Sequence, residues 1–132
     1  MPDVPWSTPT RPAPDAEVYV MASRFETATL TGAVRFFLKA PGIIRKIRTA
    51  PGAHGVALRA RVPRRTFLTL SAWEDRDALY RFARSEPHRS SSRAAAGYMK
   101  ESAFTFWTVR ARDLPIGWEE AERRLAEQRP NQ

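Results

Sequence analysis

Apolar residues follow two different periods along this chain, and the changes of period mark its predicted elements. In four stretches rich in β-forming residues they alternate with polar ones. This alternation predicts strands over residues 17–25, 54–62, 66–73 and 102–111. Between and after these strands, apolar residues recur every three or four positions, as on one face of a helix. This spacing predicts helices over residues 29–40, 41–52, 76–85, 88–100 and 114–128.

Residues suited to helix ends support these boundaries. Thr29 or Thr31 can cap the first helix and Asp75 the third, because their side-chain oxygens can accept a hydrogen bond from a free backbone N–H. Pro41 interrupts the first helical pattern, and we expect it near the first position of a separate helix. Pro87 ends the third helix or starts the next one.

Strand alternation assigns side chains to the two faces of the predicted sheet. On the first strand, Arg24 lies on the same face as three small apolar residues, and Tyr19 lies on the other face. On the third strand, Ser71 and Trp73 share one face. The turn at residues 63–65 predicts that the second and third strands form a hairpin.

The order of elements is β-α-β-β-α-β followed by a C-terminal helix. This order predicts an α+β fold of the ferredoxin-like split βαβ type, with two helices on one face of an antiparallel sheet. The other face is then left uncovered by its own chain, although several strands carry apolar residues on both faces. Pairing two sheets would bury that face, so we expect a symmetric homodimer.

We assign residues 17–128 to a single domain between two tails. Residues 1–16 contain five prolines and are expected to be a disordered, Pro-rich tail, and residues 129–132 a short C-terminal one. Trp6 is either an exposed linker aromatic or a side chain that docks on the domain.

Composition and charge narrow the possible functions. The 132 residues contain no cysteine and two histidines, which excludes a disulfide framework and leaves too few histidines for a histidine-built zinc site. No apolar run is long enough to span a membrane, and the N-terminus has no signal pattern, so we expect a soluble, cytoplasmic protein. The net charge is +8, but the arginines are dispersed and no nucleic-acid-binding motif accompanies them. Nucleic acid is therefore not an expected partner.

Three short segments carry a resemblance to a known group. They are SAWED at the end of the third strand, SEPH at the end of the following helix, and the aromatic strand FTFWTV. With the order of elements, they resemble the dimeric α+β barrel superfamily, which includes the antibiotic-biosynthesis monooxygenases. The chain looks most similar to the spheroidene-monooxygenase-like branch, over roughly residues 17–128.

The resemblance implies a pocket between sheet and helices, bordered by Trp73 and His88. Some members of the superfamily oxidise aromatic phenols without metal or flavin, and others bind or degrade haem. The haem-degrading branch has an asparagine on its first strand, but the only asparagine here is Asn131. We therefore expect no cofactor, with haem held through His88 as the alternative.

Each of the three main candidates has a functional and a structural interpretation. Trp73 can stack on a planar substrate or anchor the sheet to the helices. His88 can act as general acid or base, or simply form hydrogen bonds at a helix end. Arg24 can bind a carboxylate or lie at a strand end with its charge in water.

Further residues could line the pocket or contact an anionic part of the substrate. They are Phe37, Ser71, Phe82, Arg93, Tyr98 and Trp107. The main hypothesis is a monooxygenase-like enzyme of secondary metabolism, such as antibiotic biosynthesis, that acts on a hydrophobic aromatic or polyene molecule. The competing hypothesis is a non-catalytic dimeric domain that binds a metabolite or an acidic partner.

Overall fold

The computed structural model describes residues 3–9, 11–85 and 99–128. Its strands are β1 (Asp3–Ser7), β2 (Glu17–Thr27), β3 (Ala53–Arg61), β4 (Thr66–Trp73) and β5 (Met99–Arg110). Its α-helices within these ranges are α1 (Leu30–Arg48), α2 (Arg76–Arg84) and α3 (Trp118–Gln128). Single 3₁₀ turns follow β3 (Val62–Arg64) and β5 (Ala111–Asp113).

The five strands form one antiparallel sheet in the order β1-β3-β4-β2-β5. The four strands other than β1 have the arrangement of the ferredoxin-like split βαβ fold, which confirms the predicted fold class. The predicted hairpin of β3 and β4 is also confirmed, and β4 has the predicted bounds. β2 and β4 lie side by side, with Tyr19 directly opposite Trp73.

The prolines of the N-terminal segment predicted a disordered tail, but part of this segment forms a strand. β1 pairs antiparallel with β3 at the edge of the sheet, with Val4 opposite Leu58. Proline is tolerated on an edge strand, because one side of that strand needs no hydrogen-bonding partner. Trp6 docks on the sheet, with its ring packed directly over the backbone of Gly55.

α1 is one continuous helix, which corrects the prediction of two helices separated at Pro41. Pro41 lies inside it and removes one backbone hydrogen bond. Its buried residues offset this loss, because Ala40, Ile44 and Ile47 continue the same apolar stripe past the proline. Thr29 caps the helix as predicted, accepting a hydrogen bond from the backbone N–H of Gly32 at 3.0 Å.

Other element boundaries were predicted with mixed success. Asp75 caps α2 by accepting a hydrogen bond from the backbone N–H of Ala78 at 2.8 Å. The strand β5 begins at Met99, so the end of the helix predicted over 88–100 is wrong, while residues 88–98 lie outside the described ranges. α3 begins at Trp118, four residues later than predicted.

Helices of the chain itself pack on both faces of the sheet, which corrects the expectation of one uncovered face. We call the two faces the α1/α2 face and the α3 face, after the helices that pack on them. On the α3 face, Ala121 and Leu125 of α3 pack against buried residues of β2 and β4. The apolar residues of β2 and β4 on the α3 face are therefore already buried, and their burial does not require a second copy.

Candidate functional site

Trp73 ends β4 on the α1/α2 face, where it packs under both helices. Its indole N–H donates a hydrogen bond to Ser71 Oγ at 2.8 Å, and its ring lies 5.4 Å from that of Phe82, centroid to centroid. The structure thus brings together three of the predicted site residues. They come from two adjacent elements, because β4 runs directly into α2.

The burial of Trp73 favours its structural interpretation. Only 1% of its surface is exposed, and it belongs to a core cluster with Ile44 of α1 and Leu79 of α2. Its one polar atom is satisfied by Ser71, so the buried indole carries no penalty for an unpaired donor. Stacking on a substrate would require neighbouring side chains to move.

Three other predicted residues lie away from Trp73. Arg24 and Trp107 are on the α3 face, because strand alternation directs them to the opposite side of the sheet. Trp107 packs there under Arg124, whose guanidinium carbon is 4.4 Å from the ring centroid. Phe37 packs against a separate cluster that contains Phe67, six residues before Trp73 on β4.

The remaining predicted residues, His88, Arg93 and Tyr98, lie outside the described ranges. Their roles stay predictions from the sequence. The other histidine, His54, is buried on β3.

A group of aromatic residues beside Trp73 was not among the predicted site residues. Tyr19 lies opposite Trp73, and its ring is stacked on that of Phe106 of β5 with the centroids 5.8 Å apart. Phe104 follows on the same face and contacts Phe25 edge-to-face at 5.6 Å. We call Tyr19, Phe104 and Phe106 the aromatic wall. Phe104 and Phe106 are each 42% exposed, so the wall is open to a ligand in a way that the indole of Trp73 is not.

Polar groups lie next to the aromatic wall. Burial, reinforced by the nearby Tyr80 hydroxyl, raises the pKa of Tyr19, although the charge of Arg76 acts in the opposite direction. A hydrogen bond to Tyr80 raises the pKa of Arg76, whose guanidinium carbon lies 4.9 Å from the centre of the Tyr80 ring. Near neutral pH the group therefore combines a protonated phenol with a fixed positive charge. Alternation had separated Tyr19 from Arg24, but nothing in the sequence singled out Tyr19 as a site residue or paired it with Trp73.

The described residues form neither a metal-binding cluster nor a membrane-spanning helix. In the ranges given above, no three histidine, acidic or cysteine side chains gather as metal ligands would. None of the described helices combines the length and the apolar character needed to cross a bilayer.

Solved structures define the class of protein to which this fold belongs. SnoaB, a cofactor-independent oxygenase from Streptomyces nogalater, is 19% identical with a TM-score of 0.57, covering 76% of this chain and 100% of that chain. A candidate antibiotic biosynthesis monooxygenase from Deinococcus radiodurans is 12% identical with a TM-score of 0.64, covering 75% and 99%. A conserved protein from Methanosarcina mazei Go1 is 12% identical with a TM-score of 0.62, covering 70% and 93%. The fold is thus that of the antibiotic-biosynthesis monooxygenase-like proteins, which confirms the resemblance at this level.

The chain belongs to the family described as Domain of unknown function (DUF3291), whose model matches residues 27–131. No curated protein matches the chain. The likeness to the spheroidene-monooxygenase-like branch stays a prediction.

Proposed function

We propose that this protein is a monooxygenase-like enzyme of secondary metabolism, and that a hydrophobic aromatic or polyene substrate lies against the aromatic wall. The observation that carries the proposal is the juxtaposition of exposed aromatic rings with the hydroxyl of Tyr19. Phe104 and Phe106 offer a surface on which a flat ring can stack. Tyr19 adds a hydrogen-bond donor at the end of that surface, which would orient an oxygenated substrate.

The state of Tyr19 suggests its role. The hydroxyl is protonated near neutral pH, since the ordinary pKa of a tyrosine is already well above 7 and burial raises the pKa of Tyr19 further, so it can donate a hydrogen bond to a substrate oxygen. If the substrate is a phenol that loses a proton, this hydrogen bond and the charge of Arg76 stabilise the resulting anion. The anion can then react with oxygen without a cofactor. In this scheme His88, predicted from the sequence, accepts the proton.

Trp73 has a supporting role in this proposal. It lies beside Tyr19 on the neighbouring strand, and Ser71 and Phe82 contact its indole. A rigid side chain at this position limits the freedom of Tyr19. Trp73 thus acts as a positioning residue, and its substitution is expected to disturb the aromatic wall without removing a reacting group.

The decisive experiment measures oxygen consumption with a panel of hydroxylated naphthalenes and anthracenes, and incorporation of ¹⁸O into the product. Tyr19→Phe keeps the ring and removes only the donor, so it should lower turnover by roughly 10- to 100-fold. Ser102→Ala, at an exposed position of the same sheet, is the matched control and should leave turnover unchanged. Wild-type turnover that survives in Tyr19→Phe would refute the assigned role, and no oxygen uptake with any compound would refute the activity.

An absorption spectrum of the purified protein tests the alternative with haem. A Soret band that disappears in His88→Ala would replace the cofactor-free scheme with haem chemistry. Absence of a band after haem titration would retain the cofactor-free scheme.

We also infer a homodimer, now from the edge of the sheet and not from an uncovered face. β5 is an edge strand of 12 residues that carries the exposed rings of Phe104 and Phe106. Long apolar edges invite pairing with another chain. Light scattering should give about twice the chain mass of 15.0 kDa. A monomer at micromolar concentration would refute the dimer.

A further inference from the structure

The α3 face carries a cleft of about 550 Å³ that is separate from the aromatic wall. It lies between α3 and the end of the sheet farthest from Trp73. Its walls come from β2, β3, β4, the turn after β3 and α3. Its volume falls in the range that small-molecule sites occupy, roughly 300–1,000 Å³.

Positive charge predominates around this cleft. Its lining includes four arginines and two glutamates, a net charge of +2. The charged residues are Arg24, Arg61, Arg64, Arg123, Glu119 and Glu122. A concave surface with one predominant sign of charge concentrates ions of the opposite sign.

Two carboxylates, Glu122 in the lining of the cleft and Glu26 two residues after Arg24 on β2, are each shared between two cations. Glu122 lies 3.2 Å from Arg59 and 3.6 Å from Arg61. Glu26 lies 3.6 Å from Arg24 and 3.4 Å from Lys100. One carboxylate cannot neutralise two cations, so the cleft retains attraction for an additional anion.

The floor of the cleft is apolar. Leu68 of β4 and Leu125 of α3 are each 2% exposed, and Ala126 lies beside them. Thr66 adds a hydroxyl that already donates to the backbone carbonyl of Arg64 at 3.0 Å, so its oxygen remains able to accept a hydrogen bond. A ligand complementary to these walls combines an oxyanion with a short apolar part.

We propose that this cleft is a second binding site, for a small organic anion with a carboxylate or phosphate group and an apolar tail. The guanidinium groups of Arg24 and Arg61 lie at its sheet wall, where planar donors suit bidentate binding of an oxyanion. The apolar tail lies over Leu68 and Leu125. The site is on the opposite side of the sheet from the aromatic wall, so it does not depend on the proposed oxygenase activity.

NMR titration of the ¹⁵N-labelled full chain with sodium octanoate and octyl phosphate tests this site. Both probes should shift the amide signals of Leu68 and Leu125, and whichever binds more tightly identifies the preferred head group. Inorganic phosphate and octan-1-ol should each bind at least roughly tenfold more weakly, because phosphate lacks the apolar tail and octan-1-ol lacks the anionic group. Equal binding by either of these two, or shifts confined to Phe104 and Phe106, would overturn the proposal.

Charge variants separate specific binding from the general positive field. The double variant Arg24→Gln/Arg61→Gln should weaken octanoate binding by roughly tenfold or more, the loss typical of charge-assisted hydrogen bonds. The matched control Arg45→Gln/Arg48→Gln removes the same charge from the exposed last turn of α1, and should change affinity by less than about twofold. Equal losses in both variants would overturn the proposal.

A variant that is expected to strengthen binding keeps the test independent of misfolding, because a misfolded protein would bind more weakly. Glu122→Gln removes a carboxylate that competes with the ligand for Arg61, so it should strengthen octanoate binding by roughly three- to tenfold. Glu17→Gln, exposed at the other end of β2, is its control and should have no such effect. Unchanged or weaker binding in a folded Glu122→Gln variant would overturn the proposal.

Discussion

The contact between Trp6 and Gly55 tests whether β1 is an integral part of the fold. A methyl group placed on Gly55 would lie 1.9 Å from Cζ2 of the Trp6 ring and 2.5 Å from Cε2. Both distances are far below van der Waals contact, and ring atoms cannot bend away individually. Gly55→Ala must therefore push the whole indole off the sheet.

The cost follows from the area that Trp6 buries. A fully buried aromatic side chain removes about 150–250 Å² from water, which is about 4–6 kcal/mol at 25 cal/mol per Å². Trp6 is half-buried, so we expect Trp6→Ala to lower the free energy of unfolding by about 2–3 kcal/mol. Gly55→Ala should cost slightly less, because alanine in a strand recovers about 0.5–1 kcal/mol of the conformational entropy cost of glycine.

A double-mutant cycle followed by urea denaturation isolates this contact. In the Trp6→Ala background no ring remains to be displaced, so Gly55→Ala should be neutral or slightly stabilising, giving a coupling of about 2 kcal/mol. Gly42→Ala is the matched control, since nothing lies within 4 Å of its added methyl group. If the losses from Trp6→Ala and Gly55→Ala add in the double variant, the packing of Trp6 on Gly55 is wrong.

Four further predictions concern one buried hydrogen bond, the ionisation of Tyr19 and the continuity of α1. Ser71→Ala leaves the Trp73 indole N–H unpaired and should lower the free energy of unfolding by about 1–3 kcal/mol; a similar loss in a Trp73→Phe background would contradict this reason. The unfolded chain ionises before Tyr19 does, so stability should fall as the pH rises above 10.0, and this fall should be smaller in Tyr19→Phe. Arg76→Gln should raise the pKa of Tyr19 further in an ultraviolet titration, and a lower pKa would refute the role of Arg76. Pro41→Ala should raise the unfolding midpoint by a net stabilisation of about 2 kcal/mol, because it removes the roughly 3 kcal/mol cost of a proline inside a helix and loses up to about 1 kcal/mol of proline's restriction of the unfolded chain; a lower midpoint would show that the proline is accommodated without cost.

Elements controlled by neighbouring residues were the ones predicted well from the sequence. β4 was predicted with its observed bounds, and Asp75 and Thr29 are the caps expected from their side chains. A cap is decided within three or four residues, so a local pattern contains the necessary information. The same holds for the hairpin, whose strands are separated only by the turn after β3.

Elements that depend on distant partners were predicted poorly. β1 exists because β3 offers an edge some 50 residues later, and no local pattern around Pro5 or Trp6 reveals that pairing. α1 continues through Pro41 because the apolar side chains on both sides of the proline are buried against the sheet, and this burial stabilises the helix. Coverage of the α3 face likewise depends on where the chain returns after β5. In each case tertiary packing outweighs the local preference.

For the candidate sites as well, the features set by neighbouring residues were predicted, and those that depend on distant residues were not. Alternation along β2 correctly separates Tyr19 from Arg24, and this separation assigns aromatic and basic chemistry to opposite faces of one sheet. It cannot say which neighbour completes each group, because Phe106 and Glu122 come from elements formed about 80 to 100 residues later. A single strand can serve two binding surfaces because its odd and even positions never face the same side. The aromatic wall and the proposed anion-binding cleft can therefore differ in chemistry while sharing the same rigid backbone.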